Sequence, residues 1–230
     1  MAGHEGTGRR DPEIGKRHRP HLLRLAQRAG VVESNPAATL PSVRVPTGRP
    51  RPAPTHIVDH ALAVASDRDR LMLMLATRAG LRRAEVAAVH PRDFIGGMLH
   101  VTGKGGRSRI VPLVADLARE VAAELDRRRA GYTGTGWRIA AERVSAHDYL
   151  FPGQQPGTHA QPWVVGDALS KLLGPGWSGH TLRHRFASRA YGVDRDIRAV
   201  SELLGHSSIA TTARYVAVPD NALIAAVNGV

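Results

Sequence analysis

Apolar residues recur at intervals of three and four along most of the chain, which predicts a mainly helical protein. Gly30 and Gly80 follow two of these periodic segments and are typical helix stops. Thr55 precedes another segment and is a suitable N-cap for it. The segment ending at Arg78 is apolar enough to predict a buried helix. The predicted helices span 21–29, 56–66, 70–78, 82–89, 114–130, 163–173, 180–191, 197–204 and 208–216.

Residues 94–113 have a different pattern, in which glycines separate two short runs of β-type sequence, LHVT and RIVPL. Glycine between alternating apolar residues is typical of a hairpin turn. We therefore predict a small antiparallel sheet with a glycine-rich turn at 103–106. The fold class is mostly α with a small antiparallel β-sheet (α+β). Residues 131–162 are rich in Gly and Pro, and their pattern favours neither helix nor strand.

The two ends of the chain differ from its middle. Residues 1–20 carry Gly, His and Arg with few aliphatic side chains, which predicts a disordered basic arm. Residues 21–54 hold one helix followed by a proline-rich linker. Residues 219–230 form a predicted tail helix whose apolar side chains need a groove. That groove lies either on the same molecule or on a neighbouring copy.

The chain carries a formal net charge of +12 over 230 residues, and half of that surplus lies in residues 1–51. A surplus of this size favours nucleic acid as a partner, although a soluble basic or ribosome-associated protein has the same signature. The absence of cysteine excludes disulfides and thiol catalysis. Residues 1–10 lack the apolar core of a signal peptide, and no apolar run approaches the ~20 residues of a membrane span. We therefore expect a cytoplasmic protein.

His180 and Arg183 stand three residues apart on a predicted helix, so their side chains share one face. Arginine can bind a phosphate through two parallel hydrogen bonds, and histidine can accept a proton near neutral pH. His180 could instead only cap the helix. Leu182, Phe186 and Ala190 should pack inward, whereas His184 and Arg185 are predicted to face away from the site. Another candidate pair, His206 and Tyr215, follows nine residues apart and supplies a phenol that could attack phosphorus.

Two earlier segments supply further cations. Arg82 and Arg83 stand at a predicted helix start, where a phosphate is favoured by the helix dipole. Glu85 either orients Arg82 or is a solvated charge. Lys104 lies between glycines in the predicted turn and could serve as a general acid or be an ordinary solvated turn lysine. Arg107 and Arg109 follow on the same hairpin and are predicted to contact a DNA backbone.

Taken in order, Gly80-Leu81-Arg82, Gly103-Lys104-Gly105, His180-x-x-Arg183 and Leu204-Gly205-His206 with Tyr215 resemble the tyrosine recombinase (phage integrase) family. The resemblance covers residues 55–218, the predicted catalytic domain. The family places its first arginine directly after Gly-Leu, which selects Arg82 over Arg83. The resemblance implies that six residues carry the chemistry: Arg82, Lys104, His180, Arg183, His206 and Tyr215.

The same resemblance implies strand cleavage and religation through a covalent 3′-phosphotyrosyl intermediate, with no cofactor and no metal. It also implies double-stranded DNA as substrate, a homo-oligomer (tetramer) on that DNA, and a host DNA-bending protein as a further partner. Family members clamp DNA with a separate helical domain before the catalytic one, and the segment before residue 55 is too short for it. A truncated, non-catalytic DNA-binding remnant is therefore the alternative to an active recombinase. A topoisomerase-like relaxing enzyme of type IB is a third.

Overall fold

The computed structural model describes residues 23–35, 38, 50–129 and 149–216. The chain divides into two compact units, Met1–Thr47 and Gly48–Val230. In the first unit, helix α1 covers residues 23–28 and a turn follows at 29–30, within the helix predicted from the sequence. The predicted basic arm, most of the proline-rich linker and the predicted tail helix lie outside the described residues.

The second unit begins with three helices: α2 (Thr55–Val64), α3 (Asp67–Arg78) and α4 (Arg83–Ala87). The prediction that Thr55 caps α2 is wrong. Pro54 occupies the cap, and the Thr55 hydroxyl accepts a hydrogen bond from Arg185 Nη1 at 3.1 Å instead. Helix α2 also ends before Ser66, because the Ser66 hydroxyl caps α3 by accepting from the Asp69 amide. Helix α3 buries every residue from 71 to 77, as its apolar run predicted.

The predicted sheet is confirmed as three antiparallel strands in the order β1 (Phe94–Ile95), β2 (Met98–Thr102) and β3 (Ser108–Pro112). The β2–β3 register pairs Thr102 with Ser108, directly below a 3-10 turn over Lys104–Gly106. Gly105 and Gly106 have φ angles of 77° and 73°. Only glycine adopts such angles readily, so the turn depends on its glycines.

In the described part of the chain, five helices follow the sheet: α5 (Ala115–Arg129), α6 (Pro162–Leu173), α7 (Gly179–Asp194), α8 (Ile197–Leu204) and α9 (Ile209–Ala213). Helix α8 has the predicted ends, because Asp196 caps its first amides and Gly205 ends it with a φ of 62°. Helix α9 is shorter than the predicted 208–216 and stops before Tyr215. No described helix is long and apolar enough to span a bilayer.

Helix α3 lies in the main core, packed against α5, α6 and α7. A second cluster forms where α8 and the segment after α9 pack on α7 through Ala187, Val200, Leu204 and Val216. Burying a valine or leucine side chain fully contributes about 1.5–3 kcal/mol, so Val200 and Leu204 help to hold the end of α8 and Tyr215 against α7. At Gly80, a β-carbon would lie 2.4 Å from the Phe186 ring, so the approach of α7 to the start of α4 requires glycine.

Candidate active site

Side chains from α7, from the end of α8 and from the residue after α9 meet around Tyr215. The imidazole rings of His180, His184 and His206 lie 5.1, 4.5 and 4.9 Å from the Tyr215 ring, centroid to centroid. The guanidinium carbon of Arg183 lies 5.8 Å from the same ring. The structure thus brings together four of the six residues named from the sequence, His180, Arg183, His206 and Tyr215, and adds His184.

Arg82, the fifth residue, is the N-cap of α4 and joins this cluster through a shared carbonyl. Its Nη1 donates to Glu85 Oε1 at 2.7 Å and to the Leu204 carbonyl at 3.3 Å. The Arg82 side chain is 40% exposed. Within the described part of the chain its hydrogen bonds use only Nη1, so Nη2 and Nε point to no protein acceptor there. A phosphate could therefore take two parallel hydrogen bonds from this guanidinium.

Arg183 is buried and held by two backbone carbonyls: Nη1 donates to Gly80 and Nη2 to Leu204. Burial and the neighbouring charge of Arg82 lower the pKa of Arg183 to about 9, so the guanidinium is still charged at pH 7. Its Nε is buried and has no hydrogen-bond partner among the described residues. A buried charged donor without an acceptor is costly, and an anion bound beside Arg183 would lower that cost.

Glu85 is the carboxylate that holds the cations in place, not a solvated charge. It accepts from the Arg82 amide at 2.8 Å and from Arg109 through both oxygens, at 3.0 and 2.8 Å. Burial alone would raise its pKa, but the hydrogen bonds and charge of Arg109 and the hydrogen bonds of Arg82 lower it to about 2. Glu85 is therefore ionised at neutral pH and orients Arg82, which settles the alternative left open by the sequence.

The prediction that Arg109 contacts a DNA backbone is wrong. Its side chain is 8% exposed, and Nε donates to the Leu203 carbonyl at 2.8 Å while both Nη atoms bind Glu85. Arg107, by contrast, is exposed and lines an open cavity, and its predicted DNA contact stays a prediction. Sequence reasoning could not separate these two arginines, because Glu85 and Leu203, the partners of Arg109, are distant along the chain.

His206 lies between Arg183 and Thr212. Its Nε2 is 3.2 Å from Arg183 Nη2, and its Nδ1 is 3.0 Å from the Thr212 hydroxyl. Because a guanidinium only donates, Nε2 must accept and Nδ1 carries the proton that Thr212 receives. Burial and the charges of Arg183, Arg82 and Arg109 lower the pKa of His206 to about 4. The imidazole is therefore neutral at pH 7. Thr212, fully buried, is a site residue that the sequence reasoning missed.

His180 does not cap α7, because Ser178 occupies the N-cap and exchanges hydrogen bonds with Thr181. The His180 ring instead meets the Tyr215 ring edge-on. Burial and the charge of Arg183 lower the pKa of His180. A neutral imidazole beside the phenol at pH 7 is able to accept a proton.

The prediction that His184 faces away from the site is wrong. Its ring stacks on Tyr215 with 23° between the planes, and Nδ1 lies 3.3 Å from the Tyr215 carbonyl. The helical spacing contained the signal, since His184 is four residues from His180 and therefore on the same face. Arg185 does point away, donating to the Ala53 carbonyl and to Thr55.

Two open cavities meet at Arg82. One, of about 850 Å³, is lined by His180, Arg183 and Tyr215 among others. The other, of about 1040 Å³, is lined by His206 and by Gly103 and Gly105 of the lysine-bearing turn. The Lys104 side chain itself lies outside what the structure describes. A phosphate held by Arg82 would have the tyrosine on one side and the turn on the other. Among the described residues, no group of three His, Asp or Glu side chains could hold a metal ion.

A buried arginine, a half-exposed arginine, neutral histidines and a phenol surround one open site, and such a set of side chains can bind a phosphate and supply a nucleophile. Residues 55–222 match the model of the phage integrase family. The chain therefore belongs to the phage integrase family. It is 35% identical over 210 residues to a protein named tyrosine recombinase XerC from Pelobacter propionicus. It is 32% identical over 229 residues to the tyrosine recombinase XerC of Chromohalobacter salexigens.

These relatives are longer than this chain. The first match covers 86% of this chain and 64% of the relative, slightly less than two thirds, and the second covers 93% and 72%. Among solved structures, the XerH site-specific recombinase bound to difH substrate superposes with a TM-score of 0.63. That match covers 97% of this chain and 67% of XerH at 20% identity, so it shows the fold alone.

Proposed function

We propose that this protein is a site-specific DNA recombinase that cleaves and rejoins strands through a 3′-phosphotyrosyl intermediate. One observation carries the proposal: the Tyr215 ring lies among His180, His206 and the charged Arg183 guanidinium, beside a cavity that Arg82 lines. The same cluster supports an active enzyme over a non-catalytic DNA-binding remnant. The net charge of +12 supports a DNA substrate.

In the proposed reaction, the Tyr215 oxygen attacks phosphorus while the bond from phosphorus to the 5′-oxygen breaks. His180 accepts the phenol proton, and Lys104 donates a proton to the leaving 5′-oxygen. Arg82 and Arg183 bind the non-bridging oxygens, where negative charge develops. His206, neutral and fixed by Thr212, holds the Arg183 guanidinium on the phosphate. The phosphotyrosine retains the bond energy, so the 5′-hydroxyl of a partner strand can attack it and release Tyr215.

We assign this chemistry to residues 55–218, with residues 1–20 as a basic arm, 21–54 as helix and linker, and 219–230 as a tail. DNA exchange between two duplexes needs several active sites, and we propose a tetramer on DNA, assisted by a host bending protein. We also propose that the protein acts in the cytoplasm, since the proposed substrate is DNA.

The test is covalent trapping on a nicked suicide duplex, from which the cleaved fragment diffuses away. The wild-type protein should form a protein–DNA adduct that survives denaturation, and Tyr215→Phe should form none while binding DNA with nearly unchanged affinity. Tyr191→Phe is the matched control. Tyr191 packs against the second cluster, as Tyr215 does, but its ring lies near Arg195. An undiminished adduct in Tyr215→Phe would rule out the assignment.

A further inference from the structure

Arg109 joins three parts of the site that are far apart in sequence. It lies on β3 opposite Val101, and its side chain leaves the sheet to reach Glu85 of α4 and the Leu203 carbonyl of α8. Only 8% of the side chain is exposed, so its charge interacts with protein groups and not with solvent. A buried arginine with a bidentate carboxylate and a carbonyl acceptor has a fixed position.

Each residue that Arg109 contacts either binds a residue of the proposed mechanism or is its neighbour in sequence. Glu85 also binds Arg82 Nη1. Leu203 precedes Leu204, whose carbonyl receives both Arg82 and Arg183. The Arg109 stem also packs on Gly205, where a β-carbon would come within 3.0 Å of it. Gly205 is followed directly by His206, so the position of Arg109 constrains the backbone that carries that imidazole.

The backbone of Arg109 lies at the base of the turn that carries Lys104. The neighbouring Ser108 pairs with Thr102, and the Gly103 amide donates to the Arg107 carbonyl at 2.7 Å, closing the turn. The turn itself is rich in glycine and therefore conformationally free. The position of the turn relative to the phosphate therefore depends on how the base of the hairpin is held. Among the described side chains of β2 and β3, Arg109 makes the ion pair that ties this base to α4.

We propose that Arg109 is a positioning residue that fixes the Lys104 hairpin to the Glu85–Arg82 pair and to the end of α8. The general acid and the phosphate clamp are thereby held at a constant separation. General-acid catalysis contributes about 10²–10⁴-fold, and a misplacement of about 1 Å can remove about 10²-fold of it. The inference rests on the proposed function, since it takes Lys104 as the acid.

The first experiment compares Arg109→Met on two substrates, one with the natural 5′-bridging oxygen and one with a 5′-bridging sulfur. A thiolate leaves without a proton donor, so a sulfur substrate reports how far a defect lies in proton donation. We expect Arg109→Met to slow cleavage of the oxygen substrate by about 10²-fold, and the sulfur substrate to recover at least tenfold of that loss. Arg109→Lys keeps the charge but loses the forked geometry of the guanidinium. Its cleavage rate on the oxygen substrate should lie between those of wild type and Arg109→Met.

Arg128→Met is the matched control. Arg128 is also buried, with 4% of its side chain exposed, and it too combines a carboxylate, Glu124, with backbone carbonyls, those of Tyr149 and Leu150. Its loss should lower the stability to a similar degree but leave the sulfur-to-oxygen rate ratio at the wild-type value. An unchanged ratio in folded Arg109→Met, or an equal change in Arg128→Met, would overturn the proposal.

A second measurement separates this inference from the proposed chemistry. Amide hydrogen exchange at Gly103 and Gly106, which donate within the turn, should accelerate in Arg109→Met and stay unchanged in Arg128→Met. If the sulfur substrate fails to rescue Lys104→Ala, Lys104 is not the general acid. Faster amide exchange in Arg109→Met would still support the role of Arg109 in holding the hairpin. Unchanged exchange in Arg109→Met would show that the hairpin is not held by Arg109.

Discussion

The imidazole of His184 lies stacked on the phenol ring of Tyr215, with the ring centroids 4.5 Å apart. The Tyr215 backbone is held on the same side, because His184 Nδ1 and the Ser188 hydroxyl both approach its carbonyl at 3.3 Å. Helix α7 therefore fixes both the ring and the main chain of the proposed nucleophile. Although α9 ends before Tyr215, the Tyr215 amide still donates to the Thr212 carbonyl at 2.8 Å, and the contacts from α7 add to this bond.

Removing the His184 ring should misplace the nucleophile. His184→Ala is expected to slow adduct formation by about 2–13-fold, which corresponds to the ~0.5–1.5 kcal/mol of one aromatic contact. His184→Phe keeps the stacked ring and should recover part of this loss. The measurement is single-turnover adduct formation on the nicked duplex at saturating protein. The control is His159→Ala, which removes a comparable ring contact with Tyr149 away from the site. Equal rates for His184→Ala and wild type would contradict the positioning role.

The clamp is tested most cleanly at Arg82, because its side chain is 40% exposed and its loss leaves no buried cavity. Arg82→Ala should slow cleavage by about 10²–10³-fold with little change in stability, as for a donor aimed at developing charge. Arg183→Ala should slow cleavage as much but also destabilise the fold, since Arg183 bonds the Gly80 and Leu204 carbonyls. The exposed neighbour Arg83 decides the assignment: if Arg83→Ala proves the more severe variant in single-turnover cleavage, Arg82 is not the clamp.

Thr212→Val should disturb His206 without changing the shape of the core. The valine removes the acceptor of the Nδ1 proton, which leaves a buried donor unpaired while Arg183 still holds the same tautomer. We expect cleavage to fall about tenfold, the equivalent of ~1.4 kcal/mol for one lost hydrogen bond. Thr212→Ser keeps a hydroxyl and should restore most of the rate. The nitrogen-15 chemical shift of His206 Nδ1 reports its hydrogen bond, and an unshifted Nδ1 resonance in Thr212→Val would refute this role.

Glu85 makes the stability depend on acid pH. Its folded pKa, about 2, lies below the ordinary value of 4.5, so it stabilises the fold above the unfolded pKa. That contribution declines as pH falls from about 4.5 to about 2. Glu85→Gln should lower the free energy of unfolding by about 3–5 kcal/mol at pH 7, because it leaves Arg109 buried and unpaired.

Urea denaturation over this pH range measures the effect, and the gap between Glu85→Gln and wild type should close as pH falls toward 2. Asp167→Asn is the control, since Asp167 forms an exposed ion pair with Lys171 that is worth ~0–1 kcal/mol. A gap that stays constant from pH 5 to 2 would show that the carboxylate charge of Glu85 does not stabilise the fold.

What the sequence determines by itself is local. Helix α8 has its predicted ends because a capping aspartate and a left-handed glycine act within a few residues. The hairpin follows from alternation and from glycines that tolerate positive φ. Of the six proposed catalytic residues, Arg82 lies at the start of α4, His180 and Arg183 lie on α7, and His206 follows α8, as their motifs predicted. Lys104 lies in the predicted turn, whereas Tyr215 lies beyond α9 and not on the predicted helix.

Tertiary structure decided how those residues are held, because the partners are distant along the chain. Arg109 reaches Glu85, 24 residues away, and Leu203, 94 residues away. Without those partners, neither the burial of Arg109 nor the pKa of Glu85 could be predicted. The tautomer of His206 likewise depends on Arg183 approaching from α7. The charge, tautomer and access of a titratable side chain are set by its neighbours and its burial, and only the folded chain supplies both.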